Sequence, residues 1–173
     1  MKHEYVPGVS RNRKESNKWI QKHAKNIKGD VLSIGSGDDR DGAVNNYRDY
    51  FSSASSYTTS EYESPWNTDL RLDIRDMSEV SDERYDCLFI SGVLEHVPET
   101  EKADSEIKRV LKKGGVLLLG LPFRQAIHSQ DDYWRFTEYG IRYLFGDMRI
   151  RSMHEINNEV DKFPAAYWAK IIK

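Results

Sequence analysis

The sequence predicts an α/β protein built on a mostly parallel sheet, and three observations carry that prediction. A short apolar run, Val31 to Ile34, stops abruptly at Gly35-Ser36-Gly37. That is how a buried strand hands over to a loop whose backbone must pass close to a ligand. Strand-like and helix-like stretches then alternate along the chain, and the crossovers between them make neighbouring strands parallel. Finally, Tyr85-Asp-Cys-Leu-Phe-Ile90 is apolar enough for a central strand covered on both faces.

In chain order, residues 1–9 read as an irregular arm punctuated by Pro7-Gly8. Ser10 is placed to cap a helix running to about Ile27, with Trp19, Ile20, His23 and Ile27 on one face. Gly29-Asp30 ends it, and the first strand follows. Val44, Tyr47 and Phe51 have helical spacing, which predicts two to three helical turns within 40–51. A serine-rich loop leads to a second strand over 57–60, ending at Glu61. Pro65-Trp66-Asn67 is a connector, and Leu70 to Ile74 a short third strand. After the fourth strand, Glu101 to Lys112 is the clearest helix, with an apolar stripe of Ala103, Ile107, Val110 and Leu111. Its cationic last turn runs into Gly114-Gly115, a usual helix exit. Val116 to Leu119 is the fifth strand. A polar-aromatic loop follows, from Phe123 to Phe136. Thr137 then caps a helix carrying Ile141, Leu144 and Phe145, and two strands close the chain at 148–156 and 164–172. We read residues 1–173 as one domain: arm and helix over 1–29, ligand-binding core over 30–122, and acceptor-side loop, helix and last strands over 123–173.

Composition narrows the classes of function. The 173 residues are 31% charged and 38% hydrophobic with a formal net charge of -2, so no general attraction to nucleic acid or anionic membrane is expected. No run reaches the ~18–20 apolar residues of a membrane span, and the start lacks the apolar core of a secretory signal. A cytoplasmic setting follows. The single cysteine, Cys87, lies within an apolar run and reads as a buried structural thiol. His3, His23, His96, His128 and His154 lack metal-ligand spacing, so no metal site is expected.

In an open α/β sheet, ligands bind outside the carboxyl ends of the strands. The strand-end residues are Gly35 to Asp39, Glu61, Asp73 and Ser91 to His96. A carboxylate at the second strand end suits two ribose hydroxyls, and one after the third suits an adenine amino group. Together they describe an adenosine site without a phosphate site. Dinucleotide binding is disfavoured because Arg40 stands where the G-x-G-x-x-G fingerprint needs a small residue. There is no P-loop and no G-x-S-x-G nucleophile turn.

These residues bring a resemblance into view. Asp30-Val-Leu-Ser-Ile-Gly-Ser-Gly37, Leu72-Asp-Ile-Arg-Asp76 and the block from Tyr85 to Pro122, with Leu94-Glu-His96 and Glu106-Ile-Lys-Arg-Val-Leu-Lys-Lys-Gly-Gly115, are similar to class I S-adenosylmethionine-dependent methyltransferases. The resemblance covers roughly residues 30–122. It implies a three-layer Rossmann-like sandwich with a seven-stranded sheet of order 3-2-1-4-5-7-6, mostly parallel with one antiparallel strand. It implies S-adenosyl-L-methionine as cofactor, with Ser33, Gly35 and Gly37 along its methionine part. Glu61 would hold the ribose, Asp73 and Ile74 the adenine edge, and Ser91, Gly92 and Val93 would flank the sulfonium. The family usually has an acidic residue at Ser33, which can accept a hydrogen bond but brings no charge to the cofactor's amino group. Asp38 and Asp39 are the nearest carboxylates that could supply it.

Methyl transfer depends chiefly on placing the nucleophile on the methyl axis, and a hydroxyl acceptor also needs a general base. The 123–136 loop offers His128 as that base, Asp131 or Asp132 to orient it, and Arg124 or Arg135 to grip a polyhydroxyl acceptor. Of the two aspartates, Asp131 is taken as the catalytic partner. Trp134 and Phe136 read as packing beneath the next helix, and Arg11-Asn-Arg-Lys14 as a solvated helix start. The Asp131-Asp-Tyr-Trp-Arg-Phe-Thr137 run resembles small methyltransferases associated with sugars. The expected acceptor is therefore a small polar molecule such as a sugar, methylated on oxygen. The alternatives are a non-catalytic S-adenosylmethionine-binding module serving a partner protein, and a methyltransferase for nucleic acid or protein. The composition supports neither macromolecular acceptor, and the sequence leaves the oligomeric state open.

Overall fold

The computed structural model describes residues 10–63, 66–157 and 163–173. The arm over 1–9 and Pro65 of the expected connector lie outside the described residues. Helix α1 spans Arg11–Ala24, and the Ser10 hydroxyl accepts from the Arg13 amide at 3.1 Å, as a cap should. Trp19, Ile20 and Ala24 are buried. From the same helix, Ser16 accepts from the Trp168 indole at 3.0 Å, and the Asn17 amide donates to the Asp41 carbonyl at 3.0 Å. α1 is thus fastened both to the far end of the chain and to the segment behind the glycine turn.

The strands are β1 (Asp30–Ile34), β2 (Ser56–Glu61), β3 (Leu70–Arg71), β4 (Tyr85–Ser91), β5 (Leu111–Pro122), β6 (Arg149–Asn157) and β7 (Pro164–Ile172). They form one sheet in the order β3-β2-β1-β4-β5-β7-β6. β1 to β5 pair parallel, and β7 lies antiparallel between β5 and β6. The expected order and the lone reversed strand are both present. Helices α2 (Thr100–Val110) and α3 (Glu138–Leu144) complete the regular structure, with Thr137 capping α3 through a 3.0 Å bond from the Gly140 amide.

Residues alternate between two buried faces, so the sheet is the middle of three layers. Leu32, Leu88, Leu117 and Leu119 face one cluster with Ile107, Ile141 and Phe145. Val31, Cys87, Phe89 and Leu118 face the other, with Trp19, Ile20 and Trp168. Cys87 is wholly buried, and that burial pushes its thiol well above the ordinary range, consistent with a structural role.

The helix expected over Glu101–Lys112 ends at Val110, and β5 begins at once at Leu111, which pairs with Tyr85, rather than at Val116. Two further departures arise because an aspartate side chain competes for backbone amides. Within 40–51 only a single 3₁₀ turn forms, over Tyr47–Tyr50. The buried Asp41 carboxylate accepts from the Ala43 and Asn45 amides at 2.7 and 3.2 Å and from the Tyr50 hydroxyl at 2.6 Å. Gly42 sits at φ +69°, and Val44 is 66% exposed, so the apparent helical face is split. β3 stops at Arg71 rather than Ile74, because the Asp73 carboxylate takes the Arg75 amide at 2.9 Å and turns the chain.

Phe89 sits at the centre of the second cluster. Its ring lies 5.0 Å from Tyr47, 5.6 Å from Phe51 and 6.3 Å from Trp168. Phe89→Ala should lower unfolding stability by about 3–5 kcal/mol, measured by urea denaturation. A loss under about 1 kcal/mol would show that this cluster does not hold α1 to the sheet.

Candidate functional site

The carboxyl ends of β1, β2 and β4 converge on one open cavity of about 810 Å³. The glycine turn forms its floor. Gly35 and Gly37 have φ of +66° and +54°, a region that glycine enters without steric cost. A Cβ on Gly35 would stand 2.3 Å from the Val93 side chain, so the ends of β1 and β4 approach too closely for any side chain there. Glu61 ties this turn to β2, its carboxylate accepting from the Gly37 amide at 2.7 Å. Ser33 is buried beneath the turn, and its carbonyl accepts from the Ser60 hydroxyl at 3.0 Å.

Ser33, Gly35, Gly37, Glu61, Asp73, Ile74, Ser91, Gly92 and Val93 all line this cavity, together with His128 and Asp131. Asp38 and Asp39 do not. Asp39 is engaged behind the turn, accepting from the Tyr57 hydroxyl at 2.9 Å and the Arg48 amide at 3.1 Å. Asp73 is gripped by Arg75 through bonds of 2.8–3.1 Å, which holds its carboxyl below the usual range. Arg75 reaches on to Glu99 at 3.1 Å. Asp73 therefore faces the cavity as an ion pair rather than as a lone carboxylate.

The far wall is built by the loop after β5. It is pinned to the 3₁₀ turn Leu94–His96, because the amides of Tyr133 and Trp134 donate to the Glu95 carbonyl at 2.8 and 3.1 Å. The Trp134 indole donates to the Val97 carbonyl at 2.9 Å. Trp134 remains 44% exposed, whereas Phe136 packs against the core, so only one of the two aromatics is the packing residue that the sequence suggested. His128 Nδ1 lies 3.0 Å from Asp132 Oδ2. Asp132 is clasped by the Arg135 guanidinium, whose second arm is at 2.8 Å, and its carboxyl is held far below the usual range. Asp132, not Asp131, is thus the carboxylate against His128. The Asp131 carboxylate accepts from the Tyr133 hydroxyl at 3.1 Å, and its carbonyl takes His96 Nδ1 at 2.9 Å. Arg135 is occupied by Asp132 and the Gln125 carbonyl, and Arg124 is not among the residues lining the cavity, so neither grips an acceptor.

The model of a methyltransferase domain matches residues 49–119, which carry β2 to β4 and most of β5. Over that span the chain is similar to the methyltransferase domain family. Solved structures share its fold. An N-methyltransferase, NodS, from Bradyrhizobium japonicum, in complex with S-adenosylhomocysteine, aligns with a TM-score of 0.72 at 12% identity, covering 96% of this chain and 89% of that one. The 1,6-didemethyltoxoflavin-N1-methyltransferase of Burkholderia thailandensis aligns at 0.69 and 15%, over 94% and 78%. A Haloferax volcanii complex of the Trm112 activator with a putative methyltransferase aligns at 0.62 and 15%, over 94% and 93%. A search of curated proteins returns no match.

The cavity fits S-adenosylmethionine, the cofactor that the resemblance implies. The Gly35 position, closed to any Cβ, leaves room for a ligand to approach the backbone. Glu61 at the β2 end brings a carboxylate to the same cavity. Several cavity residues escaped the sequence reading, and Arg13 is the earliest in the chain. Arg13, read there as part of a solvated helix start, lines the cavity and donates to the Tyr47 hydroxyl at 3.2 Å. Nothing in its spacing marks it, because only the docking of α1 onto the turn brings it there.

Gly35→Ala should weaken S-adenosylhomocysteine binding by at least about tenfold, since a left-handed backbone and a 2.3 Å contact must both be relieved. Equilibrium dialysis measures it, and unchanged affinity would show that the turn does not contact the ligand.

Proposed function

We propose that this methyltransferase transfers a methyl group to a hydroxyl oxygen of a small polar acceptor such as a sugar. One observation carries the reading: a histidine backed by a carboxylate opens onto the same cavity as the glycine turn. A neutral amine already presents a lone pair to an electrophile, whereas a hydroxyl must also shed its proton, and the site is furnished for that. Bound S-adenosylmethionine supplies an electrophilic methyl on a sulfonium that departs as a neutral thioether. The chain's own groups do the rest. Asp132 and the Ala126 carbonyl hold the hydrogen of His128 on Nδ1, which leaves Nε2 as the basic atom. Such a base is worth about 10²–10⁴-fold, and alignment of the acceptor oxygen on the methyl axis contributes the larger share, about 7–11 kcal/mol.

The rim supports a ring-shaped acceptor. Tyr62 and Tyr133, each about half exposed, line the cavity, and Arg75 lies over the Tyr62 ring at 5.6 Å. A sugar ring has an apolar face that packs on an aromatic and hydroxyls that bond at its edge. We further read 1–173 as one methyltransferase domain, since the sheet draws strands from Asp30 to Ile172 and α1 bonds to β7. We place its work in the cytosol on a free small molecule. No described helix is long and apolar enough to cross a membrane.

Incubation with methyl-labelled S-adenosylmethionine and a panel of sugars, sugar nucleotides and matched amino sugars tests the reading. Label is expected on hydroxyl oxygen. Label on nitrogen alone would overturn it. With the acceptor found, His128→Ala should lower turnover about 10²–10⁴-fold while leaving S-adenosylhomocysteine affinity unchanged. Full activity in that variant would remove His128 as the base.

A further inference from the structure

The second histidine of the wall, His96, is not used by that reading, and its geometry toward His128 is unusual. Its Nδ1 faces the Asp131 carbonyl at 2.9 Å. A carbonyl can only accept, so this nitrogen carries its hydrogen. His128 Nδ1 faces the Asp132 carboxylate at 3.0 Å and the Ala126 carbonyl at 3.4 Å, again acceptors only. Arg135 keeps Asp132 ionised. Both rings therefore bear a hydrogen on Nδ1. Their Nε2 atoms meet at 3.2 Å, with the ring planes at 89°. If both rings are neutral, two lone pairs point at each other across that gap. One proton between them turns the same contact into an N–H···N hydrogen bond.

Oxygen acceptors surround the pair. The Glu95 carboxylate is 2% exposed, and its Oε1 lies 4.0 Å from His96 Nε2. Its Oε2 is buried with no hydrogen-bond partner. Asp132 faces the other side of the pair, with Arg135 beyond it, and Asp131 contributes its carbonyl. A metal ion could also join two facing nitrogens, but among the described residues no group of three ligating side chains gathers to hold one.

We infer that His96 and His128 act as one proton-accepting unit, which takes up a single proton and shares it between their Nε2 atoms. This rests on the reading of His128 as the base. The balance of the step is simple. The acceptor O–CH₃ bond forms as the methyl leaves sulfur, whose electron pair stays on sulfur. The O–H bond breaks with its pair kept by oxygen, and the proton passes to His128 Nε2, where His96 stabilises it. His96 is then a positioning residue that acts through His128. The unit accepts one proton, the number that one hydroxyl releases.

Long-range ¹H–¹⁵N NMR of the ¹⁵N-labelled full chain tests this without an acceptor. Spectra would be recorded from about pH 5 to about pH 8, the range over which imidazoles exchange protons. His96→Phe and His128→Phe assign the signals, and S-adenosylhomocysteine binding verifies that each variant is folded. The unit should lose one proton in a step seen at both rings together, passing from three protonated ring nitrogens to two. In His96→Phe the His128 Nε2 signal should change from that of a shared N–H···N contact to that of an isolated ring, as expected when coupled sites are separated. The reciprocal shift of His96 in His128→Phe carries the same information if one variant fails to fold. Rings that change independently would overturn the proposal, as would a stoichiometric metal ion whose removal by chelator frees both nitrogens. A dependence of turnover on His128 without coupling would reject the sharing but keep the base. Coupling without that dependence would do the reverse.

Discussion

The structure depends on how closely the ends of β1 and β4 approach each other. Gly35 has no room for a side chain against Val93, and the Glu61 carboxylate fastens the same turn to β2 through Gly37. These contacts open backbone toward the cavity at the point where the sheet reverses direction, the place where such folds take ligands. Everything else either supports this junction or extends it. Phe89 and Trp168 brace it from beneath, and α1 bonds both to β7 through Ser16 and to the Asp41 segment through Asn17.

The far wall is a second construction on the same frame. The Glu95 carbonyl, at the end of β4, receives the Tyr133 and Trp134 amides and so fixes a loop nearly forty positions away. That bridge carries His128 to the cavity, where Asp132 and Arg135 hold it on one side and His96 meets it on the other. The glycine-turn side and the His128 side of the cavity therefore share β4 and the turn after it as their common support. A transfer that relies on alignment benefits from such rigidity, because both reactants are positioned by one strand end.

Much of this was legible in the chain. Buried strands announce themselves as apolar runs, and β7 begins and ends where its run does, at Pro164 and Ile172. The glycine turn and the presence of carboxylates at the strand ends were readable, because a close backbone approach demands glycine and the strand ends mark the cavity. Two of the failures share one cause. Asp41 and Asp73 use their side chains to capture nearby amides, which dissolves an apparent helix and shortens a strand. Periodicity of apolar residues is blind to that competition. Likewise the sequence narrowed the partner of His128 to two adjacent aspartates, but only the loop's path selects Asp132 over Asp131. Arg13 emerges solely from tertiary docking, whereas His96 was already in view at the end of the fourth strand and only its contact with His128 is new.

The central claim is that the glycine turn and its neighbours form a working S-adenosylmethionine site although Ser33 brings no carboxylate to it. Calorimetric titration of the full chain with S-adenosylhomocysteine tests this most directly. The account predicts one site per chain with micromolar affinity. Absence of binding up to millimolar ligand would contradict it, and would mean that the cavity, for all its shape, lacks the charge needed to hold the cofactor.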